Sequence, residues 1–316
     1  MSSSAPAPKT AWIFCPVFLD VESFLILRER LLAAVRSVER LRGAAVRFVA
    51  IDDTGGTDGE LERLSAFTDV TVLSTPFNLG HQRAIVFGLR KLSRQLADDD
   101  LVVTLDADGE DRPEDLPRML APLLSDGANL KRVVLARRTK RKESPVFKLM
   151  YLGFKLLFHT LTGIVIRTGN FAAHRGWLTR NVLFHPHFDL CYSSSLISLS
   201  LDVAYVPCER GKRYAGQSRM NYMKLMIHGI RMLMPFLDRI SVRALIGFSA
   251  TFALGLLAAA TVLAGKLTHC FPVPHWAPLA VIITLALSFI ALGNFVVLFA
   301  IFSQTQGLSL HDLDRV

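Results

Sequence analysis

Two aspartates held one residue apart, Asp106 and Asp108, stand directly before Glu110 and Asp111, so four carboxylates fall within six residues. Acids this crowded repel one another unless a cation joins them. A set of oxygen ligands suits a hard divalent ion, Mg²⁺ or Mn²⁺, which prefers carboxylates shared with substrate phosphates. A calcium loop is excluded, because it needs glycine at its sixth position and glutamate at its twelfth, where this chain has Asp111 and Pro117. As a plain turn former, the pair would do no more than bend the chain after a strand. An aspartyl-nucleophile phosphatase also carries Asp-x-Asp-Gly after a strand. That motif normally opens its domain, whereas this one follows three earlier strand candidates.

The segment that delivers these acids, Leu101 to Leu105, reads as a buried strand. A parallel strand in an α/β sheet points its C-terminal end at the ligand crevice. Around it the pattern alternates. Strands are predicted at Ala11–Phe18, Val46–Ile51, Val70–Leu73, Leu101–Leu105 and Arg132–Ala136; helices at Leu25–Leu41, Asp58–Phe67, Gly80–Leu96 and from Pro113 to Leu124. Such alternation predicts a mostly parallel sheet with helices on both faces. The second strand delivers Asp52 and Asp53, the fourth Asp106 and Asp108, and the fifth Arg137 and Arg138, all to one sheet edge. Acids at one end and bases at the other suit a metal–diphosphate ligand. The TGGTDG loop after the second strand lets backbone approach a ligand. It is neither a Walker loop nor a dinucleotide fingerprint, lacking Gly-Lys-Ser/Thr and the three-glycine spacing.

The chain has 316 residues and a net charge of +9, borne almost wholly outside a C-terminal apolar region. Basic surfaces point to anionic partners, lipid headgroups or nucleotides, and no nucleic-acid motif is present. Lys140, Arg141, Lys142 and Lys148 follow the fifth strand, and Arg210, Lys212, Arg213 and Arg219 surround Gly211 and Gly216. A glycine-hinged basic loop of this kind would close over a diphosphate, arginine gripping phosphate oxygens in a fork. Ala244 to Gly265 and Ala277 to Phe302 each exceed the ~20 residues needed to cross a hydrocarbon core. Met220 to Ile240 reads as an amphipathic helix lying in the interface, with Lys224, His228 and Arg231 on one polar face. Arg231, Arg239 and Arg243 before the first span place the preceding domain in the cytoplasm. Met1 to Thr10 reads as a disordered tail rather than a signal peptide. The expected plan is therefore tail 1–10, catalytic domain 11–218, interfacial helix 219–240, two-helix membrane hairpin 241–303 and cytoplasmic tail 304–316. Cys15, Cys191, Cys208 and Cys270 have no metal spacing and read as thiols.

Five segments in order resemble those of membrane-bound family-2 glycosyltransferases of GT-A fold, in outline the polyprenyl-phosphate sugar transferases. They are CPVFLDVES (from Cys15), AIDDTGGTDG (from Ala50), NLGHQRAI (from Asn78), DADGEDRPED (from Asp106) and RYAGQSRM (from Arg213). The resemblance spans Ile13 to Arg243 and the two spans. It implies an inverting transfer of sugar from a nucleotide diphosphate sugar to a polyprenyl phosphate at the inner, cytoplasmic membrane, by a multi-pass enzyme whose subunits associate through the spans. Under it, Asp106, Asp108 and Glu110 hold Mg²⁺ or Mn²⁺. Asp52, Asp53, Asn78, Gln82, Asp106, Arg213 and Ser218 bind the donor. Asp108, Asp111, Arg213 and Arg219 take part in catalysis, and Arg137, Arg138, Lys148 and Asn170 hold the acceptor phosphate.

Departures from the family pattern sharpen the choice of acceptor. Glu110 replaces the usual glutamine and Arg219 the usual lysine. Asn170, in TGNFAAHR, stands where the family often has aspartate. An amide takes no proton at neutral pH, and a hydroxyl acceptor needs a base where a lipid phosphate does not. Asn170 thus favours a phosphate acceptor, although Asp111 is another acid that would serve as base. The alternatives are a non-processive glycolipid synthase acting on a lipid hydroxyl and a non-catalytic, membrane-tethered nucleotide-sugar binder. A processive polymerase is disfavoured by the absence of Gln-x-x-Arg-Trp.

Overall fold

The computed structural model describes residues 8–126, 128–138, 145–166, 168–199, 201–215, 222–269 and 272–305; the side chains of residues 145–151, 222, 224 and 302–305 are not among those described. Seven strands form one sheet: β1 (Thr10–Val17), β2 (Ala45–Asp52), β3 (Val70–Ser74), β4 (Leu101–Thr104), β5 (Arg132–Arg138), β6 (Thr168–Arg175) and β7 (Asp202–Cys208). Nine α-helices are described: α1 (Val21–Ser37), α2 (His81–Leu92), α3 (Leu116–Ser125), α4 (Pro145–Thr162), α5 (Gly176–Asn181), α6 (Tyr192–Ser198), α7 (Tyr222–Leu233), α8 (Leu237–Thr268) and α9 (Ala277–Thr305). The segment predicted as a helix from Asp58 is a 3-10 helix, Gly59–Ala66, capped by the Asp58 side chain accepting from Glu60 N. Another 3-10 turn, Pro113–Asp115, leads into α3, its proline in the first turn where no N–H is needed.

The strand order is β3-β2-β1-β4-β6-β5-β7. All pairings are parallel except those of β6, which runs antiparallel to both β4 and β5. The chain leaves β1 toward β2 and β3, then returns to β4 on the other side of β1. That reversal opens a crevice beyond the carboxyl ends of β1 and β4. Because helices cover both faces, the central strands are apolar on both sides rather than alternating. Ile13, Cys15, Phe48, Val103 and Val134 face α1 and α3. Phe14, Val49, Ile51, Val102 and Leu135 face α2, α5 and α6. Phe24 of α1 meets Phe48 of β2 edge-on, centroids 6.5 Å apart. Both rings are fully buried, and each such burial contributes about 1.5–3 kcal/mol.

The sheet, with residues up to 151 and 166–235, forms one compact unit, and residues 152–165 with those from Phe236 onward form a second. Within the second unit α8 and α9 are each long and apolar enough to cross a membrane. They pack together, Gly255 lying close under Leu285. Phe158 of α4 rests edge-on against Phe236 at 5.6 Å, and Arg243 donates to Thr160 O at 3.1 Å. Leu152, Leu156 and Leu157 of α4 are exposed, as is most of the apolar surface of α8 and α9.

Five strands and helices lie outside the predicted set, the helices α5 and α6 among them. β6 and β7 were not read as strands, and α4 was read only as a basic stretch. β5 extends two residues beyond its predicted end, so Arg137 and Arg138 lie within the strand rather than after it. The predicted interfacial helix is interrupted at Met234–Phe236, a 3-10 turn around Pro235 that separates α7 from α8.

Candidate active site at the carboxyl edge of the sheet

Beyond β2, two adjacent aspartates are buried and engaged by their own surroundings. Asp52 Oδ1 accepts from Thr54 N at 2.8 Å and Thr54 Oγ1 at 2.6 Å, and its Oδ2 from Gly56 N at 2.9 Å. Burial alone would raise its pKa, but these hydrogen bonds prevail and hold it below the usual carboxylate range. Asp53 reaches the other way: Oδ1 accepts from Leu79 N at 2.6 Å and Oδ2 from Gly80 N at 2.9 Å. Asn78 Nδ2 donates to Asp53 O at 3.1 Å. Burial pushes the Asp53 pKa up despite those donors. Asp52 thus shapes the TGGTDG loop, and Asp53 with Asn78 ties that loop to the start of α2.

Beyond β4 the acids have partners far away in sequence. Asp106 Oδ1 accepts from Asn170 Nδ2 at 2.9 Å. Asp108 Oδ1 accepts from Glu110 N at 2.9 Å, and Oδ2 from Arg213 at 2.5 Å. Arg210 donates to Glu110 Oε2 through Nε at 3.1 Å and through its terminal nitrogen at 2.6 Å. Arg138 donates to Asp111 Oδ1 at 3.0 Å, while Asp111 Oδ2 is buried without a hydrogen-bond partner. Burial, then the neighbouring Asp111, pushes the Asp106 pKa well above the usual carboxylate range; burial, then Asp106, does the same to Asp108. Crowded, desolvated carboxylates of this kind favour a bound proton or cation.

The basic loop lies across the acidic turn. Gly211 N donates to Glu110 O at 2.8 Å and Tyr214 N to Asp108 O at 2.9 Å. Gly109 adopts φ +84°, and a Cβ there would meet the Tyr214 ring at 2.5 Å. At Gly211 a Cβ would meet Gly109 O at 2.4 Å. Both glycines are required for this close approach. Arg30 of α1 holds the Tyr214 hydroxyl at 3.0 Å.

The remaining expected residues fall in distinct places. Gln82 is buried, its Oε1 accepting from Ser193 N at 3.0 Å and its Nε2 donating to Asn170 Oδ1. Asn170 is itself buried and faces Asp106. Arg137 is exposed at the end of β5. Ser218 and Arg219 lie outside the described residues, as does the Lys148 side chain. The sequence places Arg210 only in the basic loop that would close over a diphosphate, and gives no site role to Tyr214 or Arg30. It also gave His81 and His228 no partner, yet their rings sit 5.4 Å apart and join α7 to the start of α2. Burial, then Arg138 and Arg231, pushes the His81 pKa down to about 4. Met223, Met226, Ile227 and Ile230 of α7 are exposed.

No group of three or more His, Cys, Asp or Glu side chains is gathered for a metal among the described residues. The donor set nonetheless fits a hard divalent ion: carboxylates only, two of them, Asp106 and Asp108, raised in pKa by burial and then by a neighbouring acid, with an unpartnered buried oxygen on Asp111.

The site is thus an acidic turn under a basic loop at the carboxyl edge of a mostly parallel α/β sheet. Residues 26–182 match Glycosyl transferase family 2, so the chain carries a domain of that family. An undecaprenyl-phosphate 4-deoxy-4-formamido-L-arabinose transferase of Pectobacterium atrosepticum is 32% identical over 160 residues, covering 49% of this chain and 45% of the relative. One of the same name from Yersinia enterocolitica is 30% identical over 143 residues, 44% of this chain and 40% of the relative. The matched region thus spans less than half the length of these relatives. S. aureus TarS 1-349 overlaps 75% of this chain and 64% of its own at 11% identity, with a TM-score of 0.39, too loose to build on.

Proposed function

We propose that the protein transfers a sugar from a nucleotide diphosphate sugar to a polyprenyl phosphate at a membrane surface. The observation that carries this reading is the meeting of Asp108, Glu110 and Asp111 with Arg213, Arg210 and Arg138 at one sheet edge, beside Asp106, in a chain that also bears two apolar helices. Asp106, Asp108 and Glu110 would hold Mg²⁺ or Mn²⁺, with Asp111 close by. Bound there, the ion supplies neutralisation of the diphosphate charge. Arg213 and Arg210, freed from their carboxylates by the incoming donor, turn to the leaving diphosphate oxygens; Ser218 and Arg219 belong to the same loop. Asp52, Asp53 and Asn78 shape the loops that receive the nucleoside, and Gln82 acts from beneath. Arg138, Arg137 and Lys148 receive the acceptor phosphate, whose oxygen is already anionic. Attack by that oxygen on the anomeric carbon, with departure of the nucleoside diphosphate, inverts the configuration and needs no protein base.

The membrane part of the reading rests on exposed apolar surface. The Met and Ile side chains of α7 lie in the interface, and α8 and α9 cross the bilayer that carries the acceptor, with the sheet domain in the cytoplasm. The name of the relatives, undecaprenyl-phosphate sugar transferases, supports the same acceptor class. The test uses the purified full chain with a panel of nucleotide sugars and three acceptors: undecaprenyl phosphate, ceramide and diacylglycerol. Release of nucleoside diphosphate with undecaprenyl phosphate alone is expected. Release with a hydroxyl lipid instead would make the protein a glycolipid synthase, and no release with any acceptor would make it a binder.

A further inference from the structure

A chain of side-chain amides runs under the acidic turn, and its polarity is fixed. Ser193 N, a backbone group that only donates, points at Gln82 Oε1 at 3.0 Å, and the Cys191 thiol donates to the same oxygen at 3.4 Å. Gln82 Nε2 must therefore face away, and it donates to Asn170 Oδ1. Asn170 Nδ2 must then face onward, where it donates to Asp106 Oδ1 at 2.9 Å. Thr104 Oγ1 donates to Asn170 O at 2.7 Å and fixes the backbone from which the amide projects. Gln82, Asn170 and Ser193 are all buried, so no water replaces a broken link without loss.

We infer that Gln82 and Asn170 are positioning residues that aim Asp106 at the bound cation, through a hydrogen-bond relay whose direction is set by Ser193 N. This inference rests on the proposed metal role of Asp106 and adds to it. It also gives a reason for an amide at position 170. The atom facing Gln82 must accept, and the atom facing Asp106 must donate. Asparagine does both at once, whereas an ionised aspartate would set an acceptor against an acceptor. Gln82, expected at the donor, serves one layer below it.

The test follows Mn²⁺ alone, by the electron paramagnetic resonance of the free ion, titrated into the full chain in detergent. Second-layer groups of this kind set metal affinity by about 10- to 100-fold. Asn170→Ala is expected to weaken Mn²⁺ binding by about tenfold. Gln82→Glu keeps the shape and the bond from Ser193 N but offers an acceptor to Asn170. The Asn170 amide then turns over and presents its carbonyl to Asp106, so Mn²⁺ binding weakens by a similar factor. In the Asn170→Ala background, Gln82→Glu should have no further effect, and thermal unfolding should show both variants folded. Wild-type affinity in Gln82→Glu, or independent multiplication of the two effects, overturns the relay. Unchanged Mn²⁺ binding in Asp106→Ala would instead overturn the metal reading on which it rests.

Discussion

Asp52 and Asp53 at the end of β2, and Asp106 and Asp108 beyond β4, are two aspartate pairs on neighbouring parts of one sheet edge with opposite physical fates. The first pair is satisfied by backbone N–H groups and two threonine hydroxyls, all within 27 residues in sequence. The Asp106–Asp108 turn has one local donor, Glu110 N, and otherwise relies on Asn170 and Arg213, 64 and 105 residues away. Local partners make a carboxylate part of the scaffold. A distant, charged partner such as Arg213 leaves it able to exchange that partner for a ligand. The difference teaches that two aspartate pairs following strands are not equivalent evidence of a site. What separates them is whether the nearby backbone already fills the lone pairs.

Substitutions should break the two pairs in different ways. The largest effect is expected at Asp108. Asp108→Ala should lower transfer by on the order of a thousandfold with unfolding unchanged, and EDTA should do the same to the wild type, with recovery on adding Mn²⁺. Full activity in that variant would remove Asp108 from the chemistry. Asp53→Ala, in contrast, should destabilise the fold by about 3 kcal/mol, since it orphans the Leu79 and Gly80 N–H groups. Denaturant unfolding reads that loss, and turnover per folded molecule should stay within a few-fold of wild type.

Arg213→Ala should reduce transfer by about tenfold to a hundredfold while tightening Mn²⁺ in the absence of donor, because its guanidinium leaves Asp108. Looser Mn²⁺ binding would show that the arginine does not compete with the cation. A last effect, away from the two pairs, concerns stability against pH. Burial holds the His174 pKa down at about 4 against an ordinary 6.5. Its neutral form is what folds, so its stability contribution is whole above pH 6.5 and erodes as pH falls toward 4. Relative to His174→Gln, the wild type should lose up to about 1.4 kcal/mol per pH unit in that window. A parallel pH dependence in the two proteins would exclude it.

The first five strands and their helices were legible because their apolar runs are bounded by turn residues and end in acids or arginines. β6 escaped because TGNFAAHR carries a short apolar centre between polar ends and reads as a motif. β7 escaped because DVAYVPC ends in proline and cysteine. The acidic turn was legible from charge crowding alone. The roles of Gln82 and Asn170 were not, since an amide's task depends on which neighbour donates to it, and their partners lie 111 and 64 residues away. Asp53 has the same limit: its place in the sequence suggests a ligand, and its two bonds to backbone N–H groups were not legible there.

The most direct test of the central claim is calorimetric titration of a nucleoside diphosphate into the full chain with and without Mn²⁺. The account predicts binding that needs the metal, is lost in Asp108→Ala and survives in Asp52→Asn. Binding of equal strength without metal and in Asp108→Ala would contradict it.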